Sequence, residues 1–415
     1  MAKILAYGSP SLGHLYPMLA LLRELCARGH RVELRTMASQ VETARSAGLD
    51  AAPVDPDIET ITGQDWLAST SFGVLKMSID VMGRRAPVEV DDLSAAIDSV
   101  RPDAIIIDAN CWGAISMAEA SGIPWLVFSP FTPYLRQSGV PPFGPGLPPL
   151  AGTAGRMRDG GVSWVAGKIF DTPMSRRINP IRRRLGLSPI VSADELMRRA
   201  PLLLAVGGPP FEYYGTAPED PVQFIGACVY DPPGPAPAWL DSIDRPIVLV
   251  NTSSIPQADV VLGRYALAGL AEEPVHVVAT FPAGIPDGLD PPPNATVCRF
   301  APHGPLLERS ICAITHGGMG STLKALDRGI PVCVVPFARD QAEVARRVEL
   351  ASCGTRLPAR RLTARRLRDS VKQAIRMSEG AREVAAGFAE TGGARRGAEL
   401  VETRLLRISG YQAEG

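Results

Sequence analysis

Residues 311–341 read ICAITHGGMGSTLKALDRGIPVCVVPFARDQ, and this stretch decides how the rest of the chain is to be read. Its opening, residues 311–315, is short, apolar and rich in β-branching, as a parallel strand covered on both faces requires. His316-Gly317-Gly318-Met319-Gly320-Ser321 then interrupts the run with glycines, which turn tightly and let a ligand come close to the backbone. Residues 321–328 carry helical spacing, Gly329 is a stop, and residues 331–336 read as the next strand. At such a strand–turn–helix junction, unpaired amides and the positive end of the helix dipole favour a phosphate. The motif is neither a dinucleotide fingerprint nor a P-loop, because the glycine spacing differs from the first and no Gly-Lys-Ser/Thr follows for the second. His316 at the turn offers a donor to a phosphate, and Asp340-Gln341, just beyond the following strand, offers groups suited to sugar hydroxyls. The alternative is that His316 and Asp340 each cap a helix.

The same alternation opens the chain. Residues 3–7 form a strand, Gly8 to His14 a small-residue loop, residues 16–28 a helix, and residues 31–36 a second strand. Helical patterns follow over 40–47, 72–82 and 88–100, then a strand over 104–108, a helix over 110–121 and a strand over 124–128. Residues 139–155, GVPPFGPGLPPLAGTAG, can be neither helix nor central strand and are expected as a long loop of functional character. Helical character resumes over 164–184, and residues 202–206 form a strand. The proline-rich run at 231–237 is the best boundary, and a second alternation of strands and helices starts after it. The expected divisions are residues 1–228, a connection over 229–245, residues 246–393, and a C-terminal helix over 394–415 that packs back on the first part. An α/β chain of two Rossmann-like domains facing each other across a cleft is the simplest architecture for two alternating halves.

Composition excludes several classes. At ~100–200 residues per domain, 415 residues suit two domains. Lys+Arg and Asp+Glu both total 43, so no net field recruits nucleic acid or an anionic membrane. Basic runs such as Arg182-Arg183-Arg184 and Arg360-Arg361 read as solvated helix faces. Seven scattered cysteines without a Cys-x-x-Cys pair favour buried free thiols over a disulfide framework or a zinc site. With no secretory leader and no run of ~18 apolar residues, a cytoplasmic protein without a membrane span is expected, and a homodimer stays open.

His14 lies in the first strand-to-helix loop, where a neutral imidazole of pKa ~6.5 could accept a proton from a hydroxyl. Asp108, at the end of another strand of the same half, could orient it or could cap the next helix. Thr252, Ser253 and Ser254, in the first turn of the second half, suit a phosphate or a helix cap, and His303 heads a short loop facing a base. Asp55-Pro56-Asp57 reads as a turn, with metal binding a remote option.

Taken in order, Gly13-His14-x-x-Pro17, Phe224-Ile225-Gly226, Asn251-Thr252-Ser253-Ser254, Pro302-His303, His316-Gly317-Gly318-x-Gly320-Ser321 and Asp340-Gln341 resemble the inverting nucleotide-sugar glycosyltransferases of the GT-B fold. Among these the chain looks most like the actinobacterial branch that decorates polyketide, macrolide and enediyne antibiotics with deoxysugars. The resemblance implies that His14 is the general base and Asp108 its orienting partner. It implies that His316, Gly317, Gly318, Gly320 and Ser321 hold the diphosphate, with Ser253 and Ser254 opposite, that Pro302 and His303 border the nucleobase, and that Asp340 and Gln341 bind sugar hydroxyls. The plant-type pattern has a tryptophan where this chain has Arg299-Phe300-Ala301, and often a glutamine at His303, which points to a thymidine rather than a uridine donor. The nucleoside-diphosphate sugar would be a co-substrate, with no cofactor and no metal. A lipophilic acceptor is expected near the 139–155 loop and Phe72, Phe131 and Tyr134. A nucleotide-sugar epimerase of the same fold and a catalytically silent nucleotide-sugar binder are the competing readings.

Overall fold

A computed structural model describes residues 1–63, 71–137, 139–213, 220–232, 234–253 and 259–407, with the backbone alone at 71 and 72. Ser254, the side chain of Phe72 and the end of the C-terminal helix therefore lie outside the described residues.

Two parallel sheets organise the chain. The first contains β1 (Lys3–Tyr7), β2 (Arg31–Thr36), β3 (Asp50–Pro53), β4 (Ala104–Asp108), β5 (Trp125–Ser129), β6 (Leu203–Ala205) and β7 (Val222–Phe224), in the order β3-β2-β1-β4-β5-β6-β7. The second contains β8 (Ile247–Asn251), β9 (His276–Thr280), β10 (Ala295–Cys298), β11 (Ser310–Thr315), β12 (Val332–Val334) and β13 (Gly354–Arg356), in the order β10-β9-β8-β11-β12-β13. Central strands such as β4, AIIID, and β5, WLVFS, are buried at every residue, which is why they read as continuous apolar runs rather than alternating ones. The strands that sequence pattern does not announce, β3, β7 and β13, all lie at sheet edges. There a segment of three or four residues completes a ladder without a long apolar run of its own.

Several helices depart from expectation. Residues 72–82 and 88–100 belong to one helix, Ser71–Val100, that runs through Pro87. A proline inside a helix removes one hydrogen bond. Here the stripe Ile79, Met82, Ala86, Val90, Leu93 and Val100 buries one face continuously against the first sheet and the helix Trp112–Ser121, so packing outweighs the break. Likewise the expected loop over 139–155 ends early, in a helix Gly152–Ala166 that continues through a π-helical turn, Gly167–Asp171, into Thr172–Arg184. Its glycines hide the helix from propensity. They also allow the close return of the chain, since a β-carbon on Gly155 would stand 1.7 Å from the carbonyl oxygen of Leu150. Arg182 is not on a solvated face: it is fully buried, donates to both oxygens of Glu119 at 2.7 and 3.1 Å, and donates to the Ser188 carbonyl. The i, i+1 neighbours Arg183 and Arg184 are exposed, as expected.

The long helix and the helix Trp112–Ser121 meet closely at Gly113, where a β-carbon would lie 1.9 Å from the carbonyl oxygen of Ala86. The buried Glu89 reaches from the long helix to accept the Gly113 amide at 2.8 Å. Burial pushes the Glu89 carboxyl up to about 8, against these amides and Arg85. Gly113→Ala is expected to destabilise the first half by ~1–3 kcal/mol, read as a lowered melting temperature, because the backbone it meets cannot yield as a side chain would.

The helix Gly393–Leu400 packs on Leu12–Ala27 of the first half. Glu402, in the turn after it, is bound by Arg28 at 2.9 Å and His30 at 3.0 Å. All seven cysteines are free; Cys26 and Cys298 are half-buried and the other five buried. Among the described residues no helix is long and apolar enough to cross a membrane.

Candidate functional site

In each sheet the chain leaves two central neighbours in opposite directions: β1 towards β2 and β4 towards β5, then β8 towards β9 and β11 towards β12. Such switch points open a crevice at the carboxyl ends of the strands. His14 and Asp108 lie at the first crevice, Ser253 and His316 at the second; His14 stands in the first turn of the helix Leu12–Ala27, which starts earlier than expected, rather than in the loop before it. The two crevices face one another. The position of a β-carbon on Gly320 lies 4.0 Å from the carbonyl oxygen of Gly13, and the helices Leu12–Ala27 and Met319–Leu326 pack together. A cavity of about 1380 Å³ opens between the halves and is lined from both.

On the first side, the Asp108 carboxylate, completely buried at the end of β4, holds Nδ1 of His14 at 2.9 and 3.0 Å and accepts the Asn110 amide at 2.8 Å. His14 Nε2 is left facing the cavity, 3.5 Å from Asn110 Nδ2. Burial opposes charge on His14, but the Asp108 carboxylate outweighs it and raises the imidazole pKa above 6.5. Asp108 makes no capping bond to the next helix beyond that Asn110 amide; its business is with the imidazole. Phe131 packs 5.4 Å from the His14 ring, and Tyr134 lies against Phe131, Phe143 and Phe170 while donating to Asn110 Oδ1 at 2.9 Å.

On the second side, β11 ends at Thr315, whose Oγ1 accepts the Gly317 amide at 2.7 Å. Gly317 has φ +95°, which calls for glycine, and a β-carbon on Gly318 would meet His316 Nε2 at 2.7 Å, so a side chain there would displace the imidazole. The helix Met319–Leu326 has no side-chain cap, and its first turn, Met319 to Ser321, lines the cavity. Its amides are the unpaired donors expected at a helix start. His316 is buried, with Nδ1 3.6 Å from Asp259 Oδ2, too long for a hydrogen bond. Burial lowers its pKa below 6.5, against the pull of Asp259, so it is a neutral donor near pH 7. Asp259 is occupied instead by the Ser253 amide, at 2.6 Å.

His303 departs from expectation: it is the first residue of a short helix, His303–Glu308, rather than part of a loop. Pro302 before it sets the entry φ of -58°, which starts a turn readily. Burial, with Lys324 nearby, pushes His303 down to about 4, and its Nε2 lies 3.4 Å from Thr280 Oγ1. Asp340 occupies the N-cap position of the helix Gln341–Leu350 but makes no capping hydrogen bond. Burial raises its pKa, against the opposing charges of His14 and Arg339. The coupling with His14 crosses the cleft. Gln341 is buried, and its Oε1 accepts the Phe337 and Ala338 amides at 2.7 and 2.9 Å, holding the loop that presents Asp340. Asp55 accepts the Asp57 amide at 2.9 Å as the cap of a short helix, Pro56–Thr60.

His14, Phe131, Tyr134, Ser253, Pro302, His303, His316, Gly318, Gly320, Ser321, Asp340 and Gln341 thus line one cavity, while Asp108 and Gly317 stand behind it. Sequence reading missed Asn110, Phe143, Phe170 and Arg339. Arg339 lines the cavity with φ +57°, a costly conformation for a non-glycine residue, and its charge opposes protonation of both His14 and His316. Its position beside Asp340-Gln341 was the available signal.

Residues 264–404 match the family model described as Erythromycin biosynthesis protein CIII-like, C-terminal domain. The 4'-demethylrebeccamycin synthase of Lentzea aerocolonigenes is 30 % identical over 392 residues, 90 % of this chain and 92 % of that protein. The demethyllactenocin mycarosyltransferase of Streptomyces fradiae is 24 % identical over 98 % of this chain and 87 % of its own length. Among solved structures, the glycosyltransferase of kitacinnamycin superposes with a TM-score of 0.74 at 25 % identity, covering 97 % of this chain and 99 % of the other. The calicheamicin glycosyltransferase CalG4, at 20 % identity, shares the fold with a TM-score of 0.75 over 99 % and 100 % of the two chains. Two parallel-sheet halves around one lined cleft, with a relative this similar along nine-tenths of both sequences, identify the chain as a member of the GT-B glycosyltransferases of antibiotic biosynthesis.

Proposed function

We propose that this glycosyltransferase moves a deoxysugar, with inversion and without a metal, from a thymidine-diphosphate sugar to a hydroxyl of a lipophilic natural-product acceptor. The observation that carries the reading is that the His14–Asp108 pair and the turn from His316 to Ser321 line one cavity from opposite halves. Residues 1–228 take the acceptor, residues 246–393 take the donor, 229–245 connect them, and the segment from residue 394, described to 407, straps the second half to the first.

With Nδ1 occupied by Asp108, His14 Nε2 accepts the acceptor's proton as its oxygen attacks the anomeric carbon. The bond from that carbon to the diphosphate breaks on the opposite face, which inverts the centre. Charge developing on the leaving diphosphate is met by the amides from Gly318 to Ser321 and by neutral His316, with the Ser253 loop opposite. Fixed donors of this kind can do the work of a cation, which supports independence from metal. Asp340 takes sugar hydroxyls while Gln341 holds its loop, and Pro302 and His303 border the base. The acceptor rests on Phe131, Tyr134, Phe143 and Phe170, a wall suited to an apolar aglycone. The names of two relatives, a demethylrebeccamycin synthase and a mycarosyltransferase of demethyllactenocin, support an acceptor of that kind. Free cysteines support a cytoplasmic setting.

Mass spectrometry of reactions offered thymidine- and uridine-diphosphate sugars together with aromatic and macrolide alcohols tests this reading. The expected result is an acceptor heavier by one sugar, made first from the thymidine donor, at a rate a chelator leaves unchanged. Release of free or epimerised sugar alone, or a chelator-sensitive rate, would count against it.

A further inference from the structure

The loop that follows Tyr134 leaves the first half and is fastened to the second. Glu343, 2 % exposed, accepts the amides of Gly144 and Gly146, both at 2.8 Å on Oε1. Its other oxygen receives Tyr213 at 3.2 Å and Arg347 at 3.0 Å, so every acceptor direction of the carboxylate is used. Arg346 Nε donates to the Gly146 carbonyl at 2.8 Å. Arg347, itself buried, also pairs with Glu212 at 2.7 Å and lies 4.2 Å over the Tyr213 ring. Gly146 sits at φ +60° with its α-carbon pressed on the helix backbone, where a β-carbon would meet the Ala342 carbonyl oxygen at 2.2 Å.

The two ends of this joint lie at the reaction site. Glu343 and Arg346 stand on the helix Gln341–Leu350, whose first residues and preceding Asp340 line the cavity. Gly144 follows Phe143, whose ring meets Tyr134 edge-on at 5.1 Å, and Tyr134 holds Asn110 beside His14. We propose that Glu343 is a positioning residue for the acceptor. By holding the Gly144 and Gly146 amides from the donor half, it sets Phe143 and so builds the acceptor wall only when that half is in place. Burial makes the joint costly when broken, since losing the carboxylate charge weakens the acceptor of two amides and leaves the Arg347 side chain to Glu212 and the Glu343 carbonyl.

The proposal rests on the sugar-transfer reading above, and its test separates the two. Glu343→Gln and Arg346→Met are compared with the natural chain for acceptor KM, donor KM, and donor hydrolysis without acceptor. The expected result for Glu343→Gln is an acceptor KM raised ~10-fold or more, the size expected when a charged hydrogen-bond partner is lost. Donor KM and acceptor-free hydrolysis should stay within about twofold, because the diphosphate turn is untouched. Arg346→Met, nearer the surface of the same joint, should shift acceptor KM in the same direction by less, and it carries the comparison if Glu343→Gln does not fold. Unchanged acceptor KM in both, or an equal rise for donor and acceptor, would overturn the positioning role while leaving sugar transfer intact. A natural chain that transfers no sugar would overturn both.

Discussion

His14→Ala is expected to reduce transfer to an alcohol by ~10²–10⁴-fold, the contribution of a positioned general base. Donor binding should stay close to that of the natural chain. The asymmetry follows from the geometry: Nδ1 of His14 is bound to Asp108 in its own half, whereas the turn from His316 to Ser321 and the His303 region belong to the other. Alanine removes the base without disturbing Thr315, Gly317 or the helix start at Met319. Titration with the nucleoside diphosphate, set beside steady-state transfer rates, separates the two quantities. If binding falls as far as rate, His14 is a donor ligand or a structural residue, and the cleft works by another route. Acceptors whose nucleophile is already ionised at the assay pH should lose less rate than alcohols, because they need no base.

Asp108→Asn is expected to be nearly as severe, ~10²-fold or more at neutral pH, with a shifted pH profile as its signature. Burial drives the His14 pKa down and the Asp108 carboxylate, 2.9 Å away, drives it up; the second effect prevails. The base works when neutral, so in the natural chain kcat/KM should rise with pH through a pKa above 6.5 and then level off. Removing the carboxylate charge leaves burial opposed by the weaker pull of Asp340 across the cleft, so the acid limb should move to lower pH as the plateau falls. The loss is therefore larger at pH 8 than at pH 5.5, where the natural imidazole is mostly protonated and already inactive. An acid limb that stays in place in the asparagine variant would show that Asp108 does not set the charge of His14. Asparagine leaves one oxygen to serve both the His14 ring and the Asn110 amide, so the Tyr134 contact should be checked by comparing acceptor KM.

Much of the fold was legible because its strands and helices repeat on a local period. The all-apolar β4 and β5, the turn after β11 and the stop at Gly329 each follow from a few adjacent residues. His14 and Asp108 could be paired because one starts the helix after β1 and the other ends β4, and neighbouring parallel strands bring those positions to one edge of the sheet. Their 2.9 Å contact is a matter of register between β1 and β4, 94 positions apart in the chain. The helix at 152–166 was illegible for the opposite reason: its glycines weaken propensity, only Gly155 of it is buried, and it is carried by its continuation into the next helices.

By itself, then, the sequence determined the parallel α/β character of both halves, the glycine-rich turn after β11, and the neighbouring strand-to-helix units that carry the imidazole and the carboxylate. Local periodicity and backbone stereochemistry act over a few residues, and those features need no more. Tertiary structure alone decided that the turns of the two halves meet at Gly13 and Gly320. It also decided that Gln341 faces its own loop and that Glu343 grips amides 199 and 197 positions away. Those outcomes depend on burying polar groups only where partners from distant segments satisfy them, a condition that no short stretch of chain can state.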